Sequence, residues 1–149
     1  MERLLNRRQQ GDYGEASAIE WLTSKGAVIL VPFGHSPHFD LVAEIDGQLL
    51  RIQVKTSTYD RAVDGDRACH AVSVATRGGN QSWSGVSKNL DPERFDLLFV
   101  VTSGGRRWLI PSAAIEGATG IHLGGPKYAE FEIERTRSLS QIVLASRRR

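Results

Sequence analysis

Apolar side chains recur along this chain with two different periods, and the period distinguishes helix from strand. Ala16, Ile19 and Leu22 are spaced as on one helix face, which predicts a helix over residues 12–25 that ends at Gly26. Short apolar or alternating runs predict strands at residues 27–33, 39–45, 48–56, 68–75, 95–102 and 106–111. Loops are predicted at residues 77–91 and 112–127, with one helical turn at 112–115 and a last short helix opening at Ser138. This order of elements predicts an α+β fold with a largely antiparallel or mixed sheet.

The dipeptide Asp46-Gly47 separates two of the predicted strands and is typical of a two-residue hairpin turn. Such a turn places Asp40 directly opposite Gln53 on the neighbouring strand. One face of the hairpin then carries only apolar side chains, those of Leu41, Ala43, Ile45, Leu50, Ile52 and Val54. The other face carries Asp40, Val42, Glu44, Leu49, Arg51, Gln53 and Lys55. A three-residue loop would shift the register by one and turn Asp40 to the wrong face, and the unbroken apolar face supports the two-residue loop.

The polar face of this hairpin gathers a carboxylate, an amide and an ammonium group at one end, on Asp40, Gln53 and Lys55. Carboxylate and amide oxygens are hard ligands suited to Mg²⁺ or Mn²⁺. A divalent ion lowers the pKa of bound water and screens phosphate charge, and a nearby lysine can stabilise the attacked phosphate. These are the components of phosphodiester hydrolysis. A single carboxylate is too little for a metal site. Glu15 on the first helix is the best candidate for a second carboxylate ligand.

Each of these residues also has a purely structural explanation. Glu15 follows Asp12 by three residues, so the pair can be a helix N-cap and its capping partner. Asp40 can close a turn at the start of its strand, and Gln53 and Lys55 can lie on a solvent-exposed sheet face. The combination of all four residues with an apolar opposite face favours the metal site.

Three segments resemble the PD-(D/E)xK nuclease superfamily: residues 11–15 (GDYGE), 39–41 (FDL) and 52–57 (IQVKTS). The resemblance is closest to the QxK-type intron-encoded (group I intron) homing endonucleases. Archaeal-type Holliday junction resolvases are also similar, usually with Glu where Gln53 stands. The resemblance covers residues 11–60 well and extends more loosely through the later strands. Two positions depart from the usual pattern, because Phe39 stands where proline is common and Gln53 replaces an acidic residue.

The resemblance implies a restriction endonuclease-like αβββαβ core with a mixed central sheet, and Mg²⁺-dependent cleavage of DNA in which Mn²⁺ substitutes. Carried over by position, Asp40 binds the metal and Gln53 supplies a neutral ligand. Lys55 serves the attacking water and the transition state, and Glu15 completes the metal shell. The expected activity is therefore that of a homing-type endonuclease. A Holliday junction resolvase, a catalytically degenerate DNA-binding module and a structural protein remain alternatives.

Length and composition agree with one globular domain. The 149 residues are expected to form a single nuclease domain over 1–149, with a core at about 11–115 and a C-terminal extension at 116–149. Hydrophobic residues at 40% and charged residues at 24% exclude a disordered chain, a collagen-like repeat and a coiled coil. The single cysteine, Cys69, excludes a disulfide framework and a four-cysteine zinc site. No apolar run approaches the roughly 20 residues of a membrane span and the start is not a secretory signal, so a soluble, cytoplasmic protein is expected.

The net charge of +2 is unevenly distributed along the chain. Residues 1–60 hold six basic and eight acidic groups, whereas residues 100–149 hold eight basic and four acidic groups. This asymmetry suits a metal site beside a phosphate-binding surface, although a solvated surface with a basic tail is the simpler explanation. Candidate DNA contacts are His38, Arg77, Asn80 and Lys88. A homodimer or homotetramer is expected, because two active sites would cut two strands.

Overall fold

A computed structural model describes residues 5–34, 38–57, 60–62, 68–77 and 87–133 of the chain. Within these ranges one α-helix, α1, covers Arg7–Ser24. The strands are β1 (Val28–Leu30), β2 (Leu41–Ile45), β3 (Gln48–Ser57), β4 (Asp60–Ala62), β5 (Ala68–Ser73), β6 (Ala75–Arg77), β7 (Ser87–Asn89), β8 (Leu97–Thr102), β9 (Arg107–Pro111) and β10 (Gly120–Leu123). Two short 3-10 turns lie at Ser112–Ile115 and Ala129–Phe131. No helix among these residues is long and apolar enough to cross a membrane.

Helix α1 begins at Arg7, five residues before the predicted start. Its N-cap is Asn6, whose side-chain oxygen accepts a hydrogen bond from the Gln9 backbone N–H at 2.9 Å. The Gln9 side chain accepts one from the Asn6 backbone N–H at 3.0 Å, which completes a capping box. The alternative in which Asp12 caps the helix and Glu15 is its capping partner is therefore wrong. The first turns carry no apolar periodicity, so the hydrophobic pattern alone missed them.

Five strands form the central sheet in the order β1-β2-β3-β8-β9. Strands β3 and β8 pair in parallel and the other neighbours are antiparallel, so the predicted mixed sheet is confirmed. The hairpin of β2 and β3 has the predicted register, from Leu41 opposite Ile52 to Ile45 opposite Gln48. Asp46 and Gly47 both have positive φ, at 50° and 79°, as a two-residue I′ turn requires.

The connection from β3 to β8 contains the strand predicted at residues 68–75, which is β5, together with strands that were not predicted. The resemblance implies a helix here, whereas the described residues of this connection include the four strands β4 to β7 and no helix. Strand β5 lies between β10 and β4 in a second sheet, and β6 pairs with β7. Two predicted loops thus contain strands, namely β7 and β10, which are too short for a period-2 pattern to show. The helix predicted from Ser138 lies outside the described residues.

Two hydrophobic clusters cover the two faces of the central sheet. Side chains alternate along β8, so Leu97, Phe99 and Val101 face α1, whereas Leu98 and Val100 face the other side. The α1 side is filled mainly by Ala18, Trp21, Leu22, Leu41, Ala43 and Ile52. The other side is filled mainly by Val72, Trp108, Ile110, Ile121, Leu123 and Phe131. Residues after 115 therefore contribute to the core as well.

Candidate active site

The four predicted site residues meet at one end of α1 and the β2–β3 hairpin. Asp40 directly precedes β2, Gln53 and Lys55 lie on β3, and Glu15 lies on α1. All four line one cleft with a volume of about 280 Å³. The other lining residues are Arg7, Gln10, Gly11, Val54 and Thr56. The structure therefore brings together residues that are up to 40 positions apart in the sequence.

Hydrogen bonds fix the carboxylate of Asp40. Its Oδ2 accepts from the Gln53 side-chain amide at 2.7 Å and from the Val54 backbone N–H at 2.8 Å. The backbone N–H of Asp40 donates at 2.8 Å to the carbonyl of Ile52, the residue paired with Leu41, and so ties Asp40 to the end of the hairpin. The predicted placement of Asp40 opposite Gln53 is thus confirmed. Because a carboxylate held by several donors loses little freedom on binding, this site is preorganised.

The side-chain oxygen of Gln53 is a buried acceptor that no described residue reaches with a hydrogen-bond donor. Its side chain is only 6% exposed, and its Nε2 donates to Asp40 and, at 3.4 Å, to the Val54 carbonyl. Its Oε1 is buried and receives no hydrogen bond from any described residue. A buried carbonyl oxygen without a donor is unfavourable and requires an explanation. A cation beside Asp40 provides one, since amide oxygen is a ligand for hard divalent ions.

Glu15 lies in an environment that penalises its negative charge. Burial, followed by the charges of Asp40 and Asp12, raises the pKa of the Glu15 carboxyl. No described residue donates a hydrogen bond to it or pairs with it. Two carboxylates that repel each other in one cleft favour a cation between them. The donor set thus fits a divalent metal, with two carboxylates and one amide oxygen.

Lys55 is half-buried in the same cleft. Burial lowers the pKa of its ammonium group, and the charge of Asp40 partly offsets this effect. No described residue forms an ion pair with Lys55. A half-buried ammonium group without an ion-pair partner is available to an anionic ligand. Because the same cleft holds carboxylates, the ligand that fits both is a phosphate bound together with a cation.

The cleft depends on a close approach of α1 to β3. Gly14 is buried, and a Cβ atom added there would overlap Thr56 Oγ1 and lie 3.1 Å from a Val54 methyl group. Thr56 Oγ1 donates to the Gln10 carbonyl at 2.9 Å, which ties helix and strand together. Only glycine allows this contact. Gly14 therefore determines how near Glu15, the next residue, comes to the strand.

Of the cleft residues that were not predicted as site residues, two carry long polar side chains, namely Arg7 and Gln10. Both precede Glu15 on the same side of α1: if Arg7 is position i, Gln10 is i+3 and Glu15 is i+8. A helix assigned from residue 7 would have revealed both. The predicted start at residue 12 excluded them.

The structure describes only some of the candidate DNA-contact residues, and it does not place them in the cleft. His38 is half-buried and is not among the described residues that line the cleft. Arg77 and Lys88 lie in the paired strands β6 and β7. Asn80 lies outside the described residues. Their contact with DNA stays a prediction.

A metal at this site would have an unusual ligand set. Within the described parts of the chain, no group of three or more His, Cys, Asp or Glu side chains can hold a metal ion. Glu15 and Asp40 supply only two acidic side chains, and the third oxygen is that of Gln53. The neutral ligand lowers the negative charge of the site by one compared with a site of three carboxylates.

Comparisons with known proteins agree with the fold. Residues 5–116 match the PD-(D/E)XK endonuclease family model, and the chain belongs to this family. Nucleases of this type generally use divalent metals. A UPF0102 protein of Clostridioides difficile (strain 630) is 29% identical in an alignment 106 residues long, which covers 64% of this chain and 88% of that protein. The bacterial homing endonuclease I-Ssp6803I has the same fold, with a TM-score of 0.68 at 22% identity over 90% of this chain and 84% of its own.

Proposed function

We propose that this protein is a Mg²⁺-dependent DNA endonuclease that hydrolyses phosphodiester bonds, with Mn²⁺ able to replace Mg²⁺. One observation carries the proposal: Glu15, Asp40, Gln53 and Lys55 converge on one cleft, where the buried Gln53 Oε1 has no donor among the described residues. Neither helix capping nor core packing accounts for this combination. A hydrolytic site for a phosphate diester accounts for all four side chains.

Each residue has a role that follows from its surroundings. Asp40, Gln53 and Glu15 would hold the divalent ion through oxygen atoms. When bound, such an ion lowers the pKa of water and neutralises phosphate charge. The hydrogen bonds from Gln53 and the Val54 N–H keep Asp40 oriented before substrate arrives. Lys55 donates from its ammonium group to the attacked phosphate and orients the water, and its half-buried position strengthens this interaction because water screens it less.

The likeness in fold to I-Ssp6803I supports cleavage of duplex DNA at a homing-type site. A Holliday junction resolvase would use the same residues on branched DNA. A degenerate module would bind DNA without cutting it. Since one fold hosts several of these activities, only the substrate distinguishes them.

The test uses purified protein with a supercoiled plasmid and with a synthetic four-way junction, in Mg²⁺ and in EDTA. The proposal predicts cleavage in Mg²⁺ that disappears in EDTA and in Lys55→Ala. Lys127→Ala is the matched control, because Lys127 is an exposed lysine that does not line the cleft. Preference for the junction would favour the resolvase. Binding of both substrates without metal-dependent cleavage of either would favour the degenerate module.

We also propose that the protein acts as a homodimer or homotetramer, so that two active sites cut two strands. Strand β1 supports this proposal because it is an edge of the central sheet and exposes apolar side chains on and beside it: Val28, Leu30, Val31 and Phe33. An uncharged apolar edge strand favours pairing with another strand, here that of a second copy. Light scattering should give a mass of two or four chains for the protein, and a lower mass for Leu30→Lys. A monomeric mass for the unmodified protein would refute the proposal.

A further inference from the structure

Arg7 occupies a position in the cleft that the fold does not require. It is the first residue of α1 and lines the cleft with Glu15, Asp40 and Lys55. It is exposed, and no described residue forms an ion pair or side-chain hydrogen bond with it. The guanidinium group is therefore available to a ligand outside the chain.

The position of Arg7 is also unfavourable for the helix itself. The N-terminus of an α-helix carries a partial positive charge, so a cation in the first turn is repelled. Arg7 and Arg8 both stand there, and the first turn contains no acidic residue that would balance them. Places where a chain departs from its local rules tend to be functional sites. Of these two arginines, only Arg7 lines the cleft.

The cleft chemistry identifies the ligand. A guanidinium group pairs with phosphate through two parallel hydrogen bonds. We propose that Arg7 binds a backbone phosphate of the nucleic acid that flanks the cleaved one, an inference that rests on the proposed function. Arg7 lies two helical turns before Glu15, about 12 Å along the helix axis at 1.5 Å per residue. That separation favours a flanking phosphate over the phosphate held beside Asp40.

A flanking contact would compensate for the charge of the site. Glu15 and Asp40 repel the backbone of an approaching nucleic acid, and Lys55 offsets only part of this repulsion. Arg7 adds a positive charge at the same cleft, where the positive end of α1 strengthens its attraction for phosphate. Arg7 thus binds and positions the substrate, while the bond-breaking chemistry remains with the other four residues.

The experiment compares Arg7→Gln with Arg8→Gln, since both variants remove one positive charge from the same helical turn. Affinity for a labelled duplex and a labelled four-way junction is measured in EDTA at several salt concentrations. We expect Arg7→Gln to bind about tenfold more weakly and to lose about 0.9 from the slope of log affinity against log salt, as for one phosphate contact. Arg8→Gln should keep the slope and affinity of the unmodified protein. Arg7→Lys should restore the slope, because it restores the charge.

Cleavage kinetics provide a second measurement. If Arg7 binds a flanking phosphate, Arg7→Gln raises KM and changes kcat little, whereas Lys55→Ala lowers kcat. An unchanged salt slope in Arg7→Gln, or an equal loss in Arg8→Gln, would overturn the inference. If the protein never cleaves but Arg7→Gln still lowers the slope, the proposed hydrolysis is wrong and the phosphate contact stands. If the unmodified protein binds neither DNA, both proposals fail.

Discussion

Replacing Gly14 by alanine perturbs the contact that brings helix α1 against strand β3. The added Cβ would overlap Thr56 Oγ1 and come within 3.1 Å of a Val54 methyl group. To relieve the overlap, either Thr56 rotates and loses its 2.9 Å hydrogen bond to the Gln10 carbonyl, or the helix moves outward. Gly11→Ala is a matched control three residues earlier in the same helix, because nothing lies within 4 Å of a Cβ added there.

The magnitude follows from three contributions. Overpacking at a close contact costs typically about 1–3 kcal/mol. The lost Thr56 hydrogen bond costs about 1 kcal/mol. Alanine in place of glycine returns about 1 kcal/mol of helix propensity. We therefore expect Gly14→Ala to destabilise the protein by about 1–3 kcal/mol, whereas Gly11→Ala, which has only the propensity term, should stabilise it by about 1 kcal/mol.

Denaturant unfolding of both variants measures these free energies, and the m value shows whether unfolding stays two-state. Cleavage should also slow in Gly14→Ala, because an outward shift of α1 carries Glu15 away from Asp40. Gly11 also lines the cleft, so Gly11→Ala is the control for stability only. Equal stabilities for the two variants would show that α1 does not need to approach β3 so closely, and would refute this account of how Glu15 is placed.

Two further predictions concern the charges of the cleft. Glu15→Gln should be inactive, and at pH 7 it should be more stable than the unmodified protein. Burial and like charges raise the pKa of Glu15, so the ionised carboxylate destabilises the folded protein above that pKa. The difference in unfolding free energy should fade as pH drops below the ordinary glutamate pKa of about 4.3, where Glu15 is protonated in the folded and the unfolded state. A stability difference that persists in acid would contradict this cause. Gln53→Glu should lower the melting temperature in EDTA, because a carboxylate replaces the donor to Asp40, and Mg²⁺ should raise that temperature more than in the unmodified protein. Equal Mg²⁺ shifts in the two proteins would argue against a cation at this position.

The register of the β2–β3 hairpin was accessible from the sequence because it depends on neighbours along the chain. Asp46-Gly47 determines the turn, and side chains alternate strictly along each strand. Asp40 therefore had to lie opposite Gln53 once the apolar face was assigned, and the hydrogen bond between the two side chains confirms this pairing. The same local reasoning explains why β8 and β9 were predicted close to their observed positions.

The start of α1 was not accessible in the same way. Its first turns project toward solvent and the cleft, so they carry polar residues without a hydrophobic period. Their signal is the capping pair Asn6 and Gln9, which the apolar pattern does not contain. The late predicted start of α1 mattered, since it left Arg7 and Gln10 out of the predicted site.

Pairings between distant segments were decided by the tertiary structure alone. Strand β3 pairs in parallel with β8 across the connection that holds β4 to β7, and β10 pairs with β5 nearly 50 residues earlier. Strands of three or four residues have too short a hydrophobic pattern to predict which strand they pair with.

What the sequence by itself determined was the local arrangement of three site residues on one hairpin: Asp40, Gln53 and Lys55. The tertiary structure decided their environment, namely the burial that leaves Gln53 Oε1 without a donor from the described part of the chain, and the close approach of α1 that adds Glu15 and Arg7. The physical reason is that hairpin geometry follows from covalent and steric rules acting over a few residues. The approach of Glu15 and Arg7 to this hairpin arises only when a separate helix packs against the strand, which Gly14 allows.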